Sequence, residues 1–520
     1  MIKGAFQNKT KKEMKTSNYL LGIALMGLSG QLVAQVSTPQ KVKTKLPNII
    51  YIYADDMGYG ESGPYGQTKI KTPNLDRMAK EGVVFTQHYA SAPVCAPSRC
   101  MLLTGKHGGH SYIRGNYELG RPDDENEGGQ MPLPEGTFTI PKMLKGAGYT
   151  TGLCGKWGLG MPGTTGDPLL QGFDYYYGYV DQMQAHNYYP SHLWENDHLD
   201  KLNNPIFSVH VKRLDSLKAT DKDFEGFIGN DYAPAKMTEK GLKFIDKNKD
   251  KPFFLYMPYT IPHVALQAPK KYVDQYIGKF PEHPYYGQQG YAPCKYPLST
   301  YAAMITFLDE QIGKIMDKVK ELGLDENTII MFSSDNGPAF NGGVDANFFN
   351  SSGGLRGLKM DVYEGGIREP FIARWPGKIA AGTTNDFISV QYDMMATFAE
   401  LTNQKTNNTD GISLLPTLLG NNKAQKQREY IYFEYPEKGG QLAIRMGDWK
   451  GVRLDVRHNP KSPWQIYNLK TDRNETEDVA AKHPELIQKF EAIVKKEHQN
   501  AHIREWEFVN PKFDVKSINE

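Results

Sequence analysis

The sequence has little cysteine, almost no net charge and no apolar run long enough to cross a membrane. Four cysteines in 520 residues are too few for a disulfide-built fold, and they form no paired CxxC pattern for zinc. The 61 basic and 59 acidic side chains leave a formal charge of +2, so there is no broad positive field for a nucleic-acid backbone. We therefore expect an ordinary hydrophobic core and no nucleic-acid partner.

The first 34 residues differ in character from the rest of the chain. Five lysines stand against one glutamate at the start, a mainly apolar stretch follows over residues 19–33, and Ala34 offers a small residue for cleavage. The apolar stretch is interrupted by glycines and is shorter than the roughly 20 residues of a membrane span. We interpret residues 1–34 as a secretory signal peptide, which predicts a periplasmic or extracellular protein without stable membrane insertion; an uncleaved anchor is the alternative.

The length and the alternation of apolar patterns predict a large α/β architecture. A chain of 520 residues exceeds what one hydrophobic core usually holds, so a large domain with an appended unit is expected. Strand-like apolar runs alternate with helical stretches, which indicates a large, mainly parallel mixed sheet sandwiched by helices. The strand runs are residues 48–53, 149–153, 253–257 and 328–332, and the helical stretches are 73–80, 140–146 and 301–322. We assign this catalytic domain to residues 35–424.

The pattern of apolar and polar residues changes after about residue 425, beyond a polar loop at residues 402–410. Residues 430–435 and 441–446 are typical of hairpin strands around the Gly439, Gly440 turn, and residues 484–499 form an amphipathic helical pattern. We predict a smaller C-terminal α+β subdomain over residues 425–520, with a small antiparallel sheet and a closing helix.

Acidic residues follow two of the predicted strands directly. Asp55 and Asp56 come after the first strand, and Asp335 and Asn336 come shortly after the strand at residues 328–332. Ligands of such sheets gather at the carboxyl ends of the strands. Carboxylate and amide oxygens together suit Ca²⁺ or Mg²⁺ rather than zinc, with Ca²⁺ favoured. The alternative interpretation is that each cluster merely caps a helix or turn.

A cysteine precedes a predicted helix in the segment CAPSR, residues 95–99. Pro97 is suited to the first helical position, which would put Cys95 at the helix cap, where free backbone N–H groups favour an anionic atom. Arg99, one turn further, could hold an oxyanion. The pattern indicates a nucleophile at a helix N-terminus, although a cysteine before a helix is more often a small buried residue.

These segments together resemble the type I, formylglycine-dependent sulfatase family of the alkaline-phosphatase-like superfamily, and especially secreted bacterial glycan sulfatases. CAPSR followed by LLTG is similar to the family's first signature, and GKWGLG at residues 155–160 to its second. PNIIYIYADDMGYG, TPNLDRMAKEGVVF, FSSDNGP and GLKMDVYEGGIREP extend the resemblance over nearly the whole chain after residue 34.

The resemblance implies a role for each matching residue. Cys95 would be oxidised to formylglycine by a maturation enzyme; one hydroxyl of the hydrated aldehyde would attack sulfur, and the other would expel sulfate by collapsing to the aldehyde. Ca²⁺ would act as Lewis acid, His263 would protonate the leaving group, and cations would neutralise the sulfate oxygens. The implied metal ligands are Asp55, Asp56, Asp335 and Asn336, and the implied sulfate-binding cations are Arg99, Lys156 and Lys359.

One position departs from the family pattern. The second signature usually has a histidine two residues after its lysine, assigned to hydroxyl deprotonation, and this chain has Gly158 there. His88, His107, His110 or His186 could substitute, and the sequence does not choose among them.

The resemblance also implies a sulfated carbohydrate as substrate. Residues 182–194, with His186, resemble stretches of sulfatases from glycan-degrading bacteria, so His186 is a candidate substrate-binding residue. We expect a terminal sulfated galactose or N-acetylgalactosamine rather than glucosamine. The alternatives are a phosphatase or phosphodiesterase of the same superfamily and a non-catalytic secreted glycan-binding protein.

Overall fold

The computed structural model describes residues 45–117, 127–128 and 130–518, so the predicted signal peptide lies outside the described residues. Most of the described strands belong to one large mixed sheet. They are β1 Asn48–Asp55, β2 Val83–Tyr89, β3 Thr150–Lys156, β4 Tyr175–Tyr179, β5 His192–Glu195, β6 His198–Lys201, β7 Phe253–Pro262, β8 Thr328–Ser334, β9 Arg368–Arg374, β10 Thr383–Asn385 and β11 Ser389–Val390.

The strand order in the large sheet is β10-β2-β9-β8-β1-β7-β3-β4-β5-β6, with β11 paired to β2. The four central strands β8, β1, β7 and β3 run parallel, with Ile50 opposite Leu255 on one side and Ile330 on the other. β9 is antiparallel to both of its neighbours, and β5 and β6 add an antiparallel edge. The predicted mainly parallel mixed sheet is confirmed.

Helices cover both faces of this sheet. They and the remaining helices are α1 Pro73–Lys80, α2 Cys95–Thr104, α3 Ile140–Gly146, α4 Asp221–Glu225, α5 Ala233–Asn248, α6 Lys270–Val273, α7 Pro297–Glu321, α8 Glu364–Ile367, α9 Asp393–Thr402, α10 Leu415–Leu418 and α11 Pro484–Glu497.

The central strand β1 shows why the sheet needs two helical layers. All eight of its residues are buried, as expected for a parallel strand covered on both faces. Ile50 and Ile52 pack into the layer of α1, α5 and α7, whereas Ile49 and Tyr51 pack into the layer of α2, α3 and α9. The alternation of side chains along one strand therefore builds two hydrophobic cores.

A smaller antiparallel sheet follows near the C-terminus, as expected. Its strands, in spatial and chain order, are β12 Ile431–Tyr435, β13 Gln441–Met446, β14 Trp449–Arg453 and β15 Trp464–Asn468. Leu486 and Phe490 of α11 pack against Leu442 and Ile444 of β13. The other face of the sheet packs on residues of the large sheet, including Tyr89. The domain boundary near residue 425 stays a prediction.

Two further observations concern the cysteines and the membrane. All four cysteines are unpaired and buried. Within the described part of the chain, no helix combines the length and the apolar character that a membrane span requires.

Candidate active site

The candidate site lies where two neighbouring parallel strands end. β1 ends in Asp55, and Asp56 follows in a left-handed conformation with φ of 63°. β8 is followed by Asp335 and Asn336, and the backbone N–H of Asp335 donates to the carbonyl of Ala54 at 3.2 Å. The backbone N–H of Asp56 donates to Asp335 Oδ1 at 3.0 Å. The fold therefore brings together the four residues that the resemblance assigns to one metal site.

Two buried cations face Asp55, and one of them, Arg99, also faces Asp335. Arg99 Nη2 is 2.8 Å from Asp335 Oδ2 and 3.1 Å from Asp55 Oδ2, and Lys156 Nζ is 2.8 Å from Asp55 Oδ2. Burial opposes ionisation of Asp55, but Lys156 and Arg99 outweigh it and hold the pKa of Asp55 well below its ordinary value. Burial and the charge of Asp55 raise the pKa of Asp335 to about 7. Arg99 and Lys156 thus stabilise the charged form of Asp55 fully and that of Asp335 only in part. A further positive charge beside Asp335 would stabilise its charged form.

Lys359 and His263 face the remaining carboxylate. Lys359 Nζ lies 2.8 Å from Asp56 Oδ2, and His263 Nε2 lies 3.6 Å from the same oxygen. His263 Nδ1 donates to the carbonyl of Val264, which leaves Nε2 as the nitrogen directed at the site. Burial and the charge of Lys359 lower the pKa of His263 to about 4. Three permanent cations, Arg99, Lys156 and Lys359, thus face the three carboxyl groups, and His263 is neutral at neutral pH in this arrangement.

One buried oxygen in the cluster has no partner. Asn336 donates through Nδ2 to Asp56 Oδ1 at 2.8 Å and to the carbonyl of Gly337 at 2.9 Å, but its Oδ1 accepts no hydrogen bond. Buried acceptors are normally satisfied, and a cation beside Oδ1 would satisfy this one. Amide and carboxylate oxygens suit a hard divalent cation. The residues present fit such an ion, and its ligands would be Asp55, Asp56, Asp335 and Asn336.

Cys95 lies against the same carboxylates. Its Sγ is 3.2 Å from Asp55 Oδ1 and 4.0 Å from Asp56 Oδ1, and the side chain is 1% exposed. The helix α2 begins at Cys95 with Val94 as its N-cap, so the expectation that Pro97 is the first helical residue is wrong by two positions. Pro97 fits at the third position because the first-turn N–H groups have no acceptor within the helix.

The chemical state of Cys95 follows from its surroundings. Burial and the negative charge of Asp55 raise the pKa of the Cys95 thiol well above its ordinary value. An unmodified Cys95 is therefore a neutral thiol at neutral pH, which is a weak nucleophile.

A cavity of about 230 Å³ opens above Cys95. Its wall combines site residues that the sequence analysis proposed with polar and apolar residues that it did not. The described lining residues are Cys95, Ala96, Ile113, Gly115, Asn116, Tyr117, Gln130, Met131, Lys156, Gly158, Gln182, Met183, His186 and His263. The cavity can hold a small anionic group against Cys95 and Lys156, with the histidines beside it.

His186 is held in one tautomer by its neighbours. Its ring stacks on that of His263, with centroids 4.5 Å apart and planes 6° from parallel. His210 Nδ1 lies 3.2 Å from the carbonyl of Gly290 and carries the proton of that bond, so His210 Nε2 accepts from His186 Nδ1 at 3.0 Å. Burial and the neighbouring His263 hold the pKa of His186 well below its ordinary value. Neutral His186 therefore offers Nε2 as a hydrogen-bond acceptor.

The histidines considered as substitutes for Gly158 lie in different places. His186 is in the cavity wall. His88 bonds Ser389 Oγ at 2.8 Å, and His107 and His110 stack on each other. These three are not among the described residues of the cavity wall. Among the four candidates, the structure brings only His186 to this cavity.

Gln182 and His210 are among the residues of the site that the sequence analysis did not single out. Gln182 lines the cavity in front of Gly158, and His210 orients His186. Gln182 belongs to the segment at residues 182–194, so its position beside His186 was a usable signal. His210 lies in a loop without a motif, and only the fold reveals it.

The chain is similar to known proteins both in sequence and in structure. The chain matches the family model described as Sulfatase over residues 47–404, and that described as N-sulphoglucosamine sulphohydrolase, C-terminal, over residues 358–502. It is 31% identical to an N-acetylgalactosamine-6-O-sulfatase of Bacteroides thetaiotaomicron, covering 91% of this chain and 97% of that protein. It is 30% identical to human arylsulfatase A, covering 86% and 87%. The crystal structure of Ps i-CgsB in complex with k-i-k-neocarrahexaose superposes with a TM-score of 0.70 at 27% identity, covering 90% of this chain and 95% of that one.

Proposed function

Because the chain belongs to the sulfatase family and is a sulfuric ester hydrolase, we propose that it removes sulfate from a terminal galactose or N-acetylgalactosamine of a sulfated glycan. The observation that carries the proposal is the buried junction of Cys95 with three carboxylates and three cations at the base of a cavity. The relatives named N-acetylgalactosamine-6-O-sulfatase and N-acetylgalactosamine-6-sulfatase support the choice of sugar, and the oligosaccharide-bound structure supports a carbohydrate substrate.

The proposal includes conversion of Cys95 to formylglycine by a maturation enzyme. As a hydrated aldehyde, formylglycine supplies one hydroxyl for attack on sulfur and a second for release of sulfate. The raised pKa of the buried thiol supports this, because the unmodified side chain would be a poor nucleophile where it lies. The CAPSR segment, residues 95–99, also supports it, because this segment resembles the sulfatase signature in which the cysteine is modified.

The charges of the site favour an anionic group only when a divalent cation is present. Asp55, Asp56 and Asp335 offset Arg99, Lys156 and Lys359, so the cluster alone has little net attraction for a sulfate ester. Ca²⁺ held by these carboxylates and Asn336 would supply Lewis acidity and positive charge. Arg99, Lys156 and Lys359 would then be freed in part to neutralise the charge that develops on sulfate oxygens.

His263 is proposed to hold the proton for the leaving alcohol. Its Nδ1 is fixed to the carbonyl of Val264, so Nε2 is the atom that must carry the proton and present it to the cavity. The pKa of His263 lies at about 4 next to Lys359, and an anionic substrate beside the ring would raise it. His186, stacked on the same ring, is proposed to bind the sugar through Nε2.

The residues 1–34 support a proposal of export to the periplasm or the outside of the cell, where sulfated polymers or their oligosaccharides are met.

Turnover of defined sulfated sugars tests this function. We expect the purified, natively produced protein to release inorganic sulfate from galactose or N-acetylgalactosamine sulfates faster than from glucosamine sulfates, measured by ion chromatography. Matched phosphate monoesters serve as the control for the phosphatase alternative. Preferential phosphate release would refute the proposed function, and preference for glucosamine sulfates would refute the sugar assignment alone.

His263→Ala should separate leaving-group protonation from attack on sulfur. A sugar alcohol leaves poorly without a proton, so kcat on a sugar sulfate should fall by about 10²- to 10⁴-fold. Nitrophenyl sulfate has a much better leaving group and should lose far less. His283→Ala, at an exposed position, is the control and should match the wild type on both substrates. Equal losses of the His263 variant on both substrates would contradict the assignment.

A further inference from the structure

A buried carboxamide in the cavity wall has a donor without an acceptor. Gln182 is 6% exposed, lines the cavity together with Cys95 and Lys156, and its Nε2 makes no hydrogen bond. Most buried side-chain donors are satisfied, because burying an N–H group without an acceptor costs stability. The unsatisfied donor belongs to a side chain that lines the cavity, which makes it a candidate contact for a bound molecule.

The lack of a side chain at Gly158 leaves the space that the carboxamide of Gln182 occupies. This glycine has φ of 69°, and a Cβ built on it would lie 2.2 Å from Gln182 Nε2 and 2.8 Å from Gln182 Cδ. The end of the Gln182 side chain thus occupies the space that a side chain at position 158 would need. Gly158 comes two residues after Lys156, and both residues line the cavity together with Cys95 and Gln182.

The backbone holds both partners in position. Gly158 N donates to the carbonyl of Val180 at 3.2 Å, which joins the segment after β3 to the segment after β4. The carboxylate of Asp181 accepts the backbone N–H of Met183 at 2.7 Å and of Gln184 at 2.9 Å. The turn that bears Gln182 is therefore fixed on both sides of the residue, and its donor is preorganised.

We propose that Gln182 donates its Nε2 hydrogen to a sulfate oxygen of the bound substrate. This inference rests on the proposed sulfatase function. A carboxamide is neutral and does not accept a proton at neutral pH, so Gln182 binds and orients the sulfate and does not replace the base missing at Gly158. Its hydrogen bond to an anion belongs to the stronger, charge-assisted kind.

Two near-isosteric variants test the role as donor. Gln182→Met keeps the length and approximate volume of the side chain without the N–H group, and we expect kcat/KM to fall by about 10- to 100-fold. The inhibition constant of inorganic sulfate, the non-reacting probe, should rise in the same direction. Gln182→Glu should lose more than Gln182→Met, because its carboxylate would repel the sulfate. Thermal unfolding of each variant checks that the fold is kept.

A role as a mere spacer in front of Gly158 predicts different results. In that case Gln182→Met and Gln182→Glu would both keep kcat/KM and the sulfate inhibition constant within about twofold of the wild type, and the proposal would be overturned.

A double-mutant cycle of Gly158→Ala and Gln182→Ala gives a second test, which uses neither Gln182→Met nor Gln182→Glu. Gly158→Ala should push the carboxamide out of place and reduce sulfate affinity in the wild-type background. Gly158→Ala strains the backbone at its φ of 69° in both backgrounds, but in the Gln182→Ala background it meets no carboxamide, so the loss of affinity should be smaller there. Additive losses in the two backgrounds would contradict the coupling.

The outcome also separates this inference from the proposed function. If the wild-type protein turns over sulfate esters but Gln182→Met equals it, only the inference about Gln182 fails. If wild-type protein shown to carry formylglycine hydrolyses no sulfate ester, the proposed function itself fails, and the Gln182 inference fails with it.

Discussion

Cys95→Ala is expected to fold normally and to lose at least about 10³-fold in kcat on every sulfate ester. The variant has no side chain that can become the nucleophile, and loss of a covalent nucleophile is among the costliest single changes in an enzyme. Cys95→Ser should be similarly inactive in turnover, because serine offers one hydroxyl where attack and release need two. Steady-state kinetics on a sugar sulfate and on an aryl sulfate measure the effect.

The fold of these variants should be preserved because Cys95 contributes little to the core. Its side chain is small, and its contacts are with Asp55 and Asp56 rather than with a hydrophobic cluster. Cys294→Ser is a matched control, since Cys294 is also a buried, unpaired cysteine but lies in the wall of another cavity. It should retain wild-type turnover. A Cys95→Ala protein with more than a tenth of wild-type activity would contradict the role of this residue.

Removal of divalent cations should reduce kcat/KM by at least about 10²-fold, and Ca²⁺ should restore it. Without the ion, the three carboxylates offset the three cations, and the site loses the Lewis acid and the net attraction for sulfate. Asp335→Asn should weaken Ca²⁺ binding, measured by calorimetry, and lower turnover at limiting Ca²⁺. The same variant leaves Arg99 with only one of its two carboxylate partners.

Controls separate the ion from general effects on the protein. Asp317→Asn removes a carboxylate exposed on α7 and should change neither Ca²⁺ affinity nor turnover. Adding Mg²⁺ in place of Ca²⁺ tests the choice of ion. Full activity of protein shown by elemental analysis to contain no divalent metal would contradict a metal role.

Local patterns were sufficient to predict several elements of the fold. α1 and α3 have the predicted bounds, because each begins with a proline near its first turn and shows a clear apolar pattern. The junction of Asp55 with Asp335 was predictable, since residues that follow neighbouring parallel strands meet at one edge of the sheet. This rule depends only on the order and direction of the strands, and short apolar runs in the sequence indicate where the strands lie.

Relations between distant side chains were not predictable in the same way. The stacking of His186 on His263 and the contact of Gln182 with Gly158 depend on loops after different strands, and no local pattern encodes them. β7 continues to Pro262, beyond the predicted run at residues 253–257, because pairing with β1 extends to Asp55. Tertiary pairing decided this boundary.

Mass spectrometry of Cys95 tests the central claim most directly. Trypsin should release the peptide that spans residues 81–99, ending at Arg99, from protein purified in active form from its native host. We predict that position 95 has lost sulfur and two hydrogens and gained one oxygen, as formylglycine requires, and that the modified fraction tracks specific activity across preparations. Active native protein in which position 95 is entirely unmodified cysteine would contradict the account.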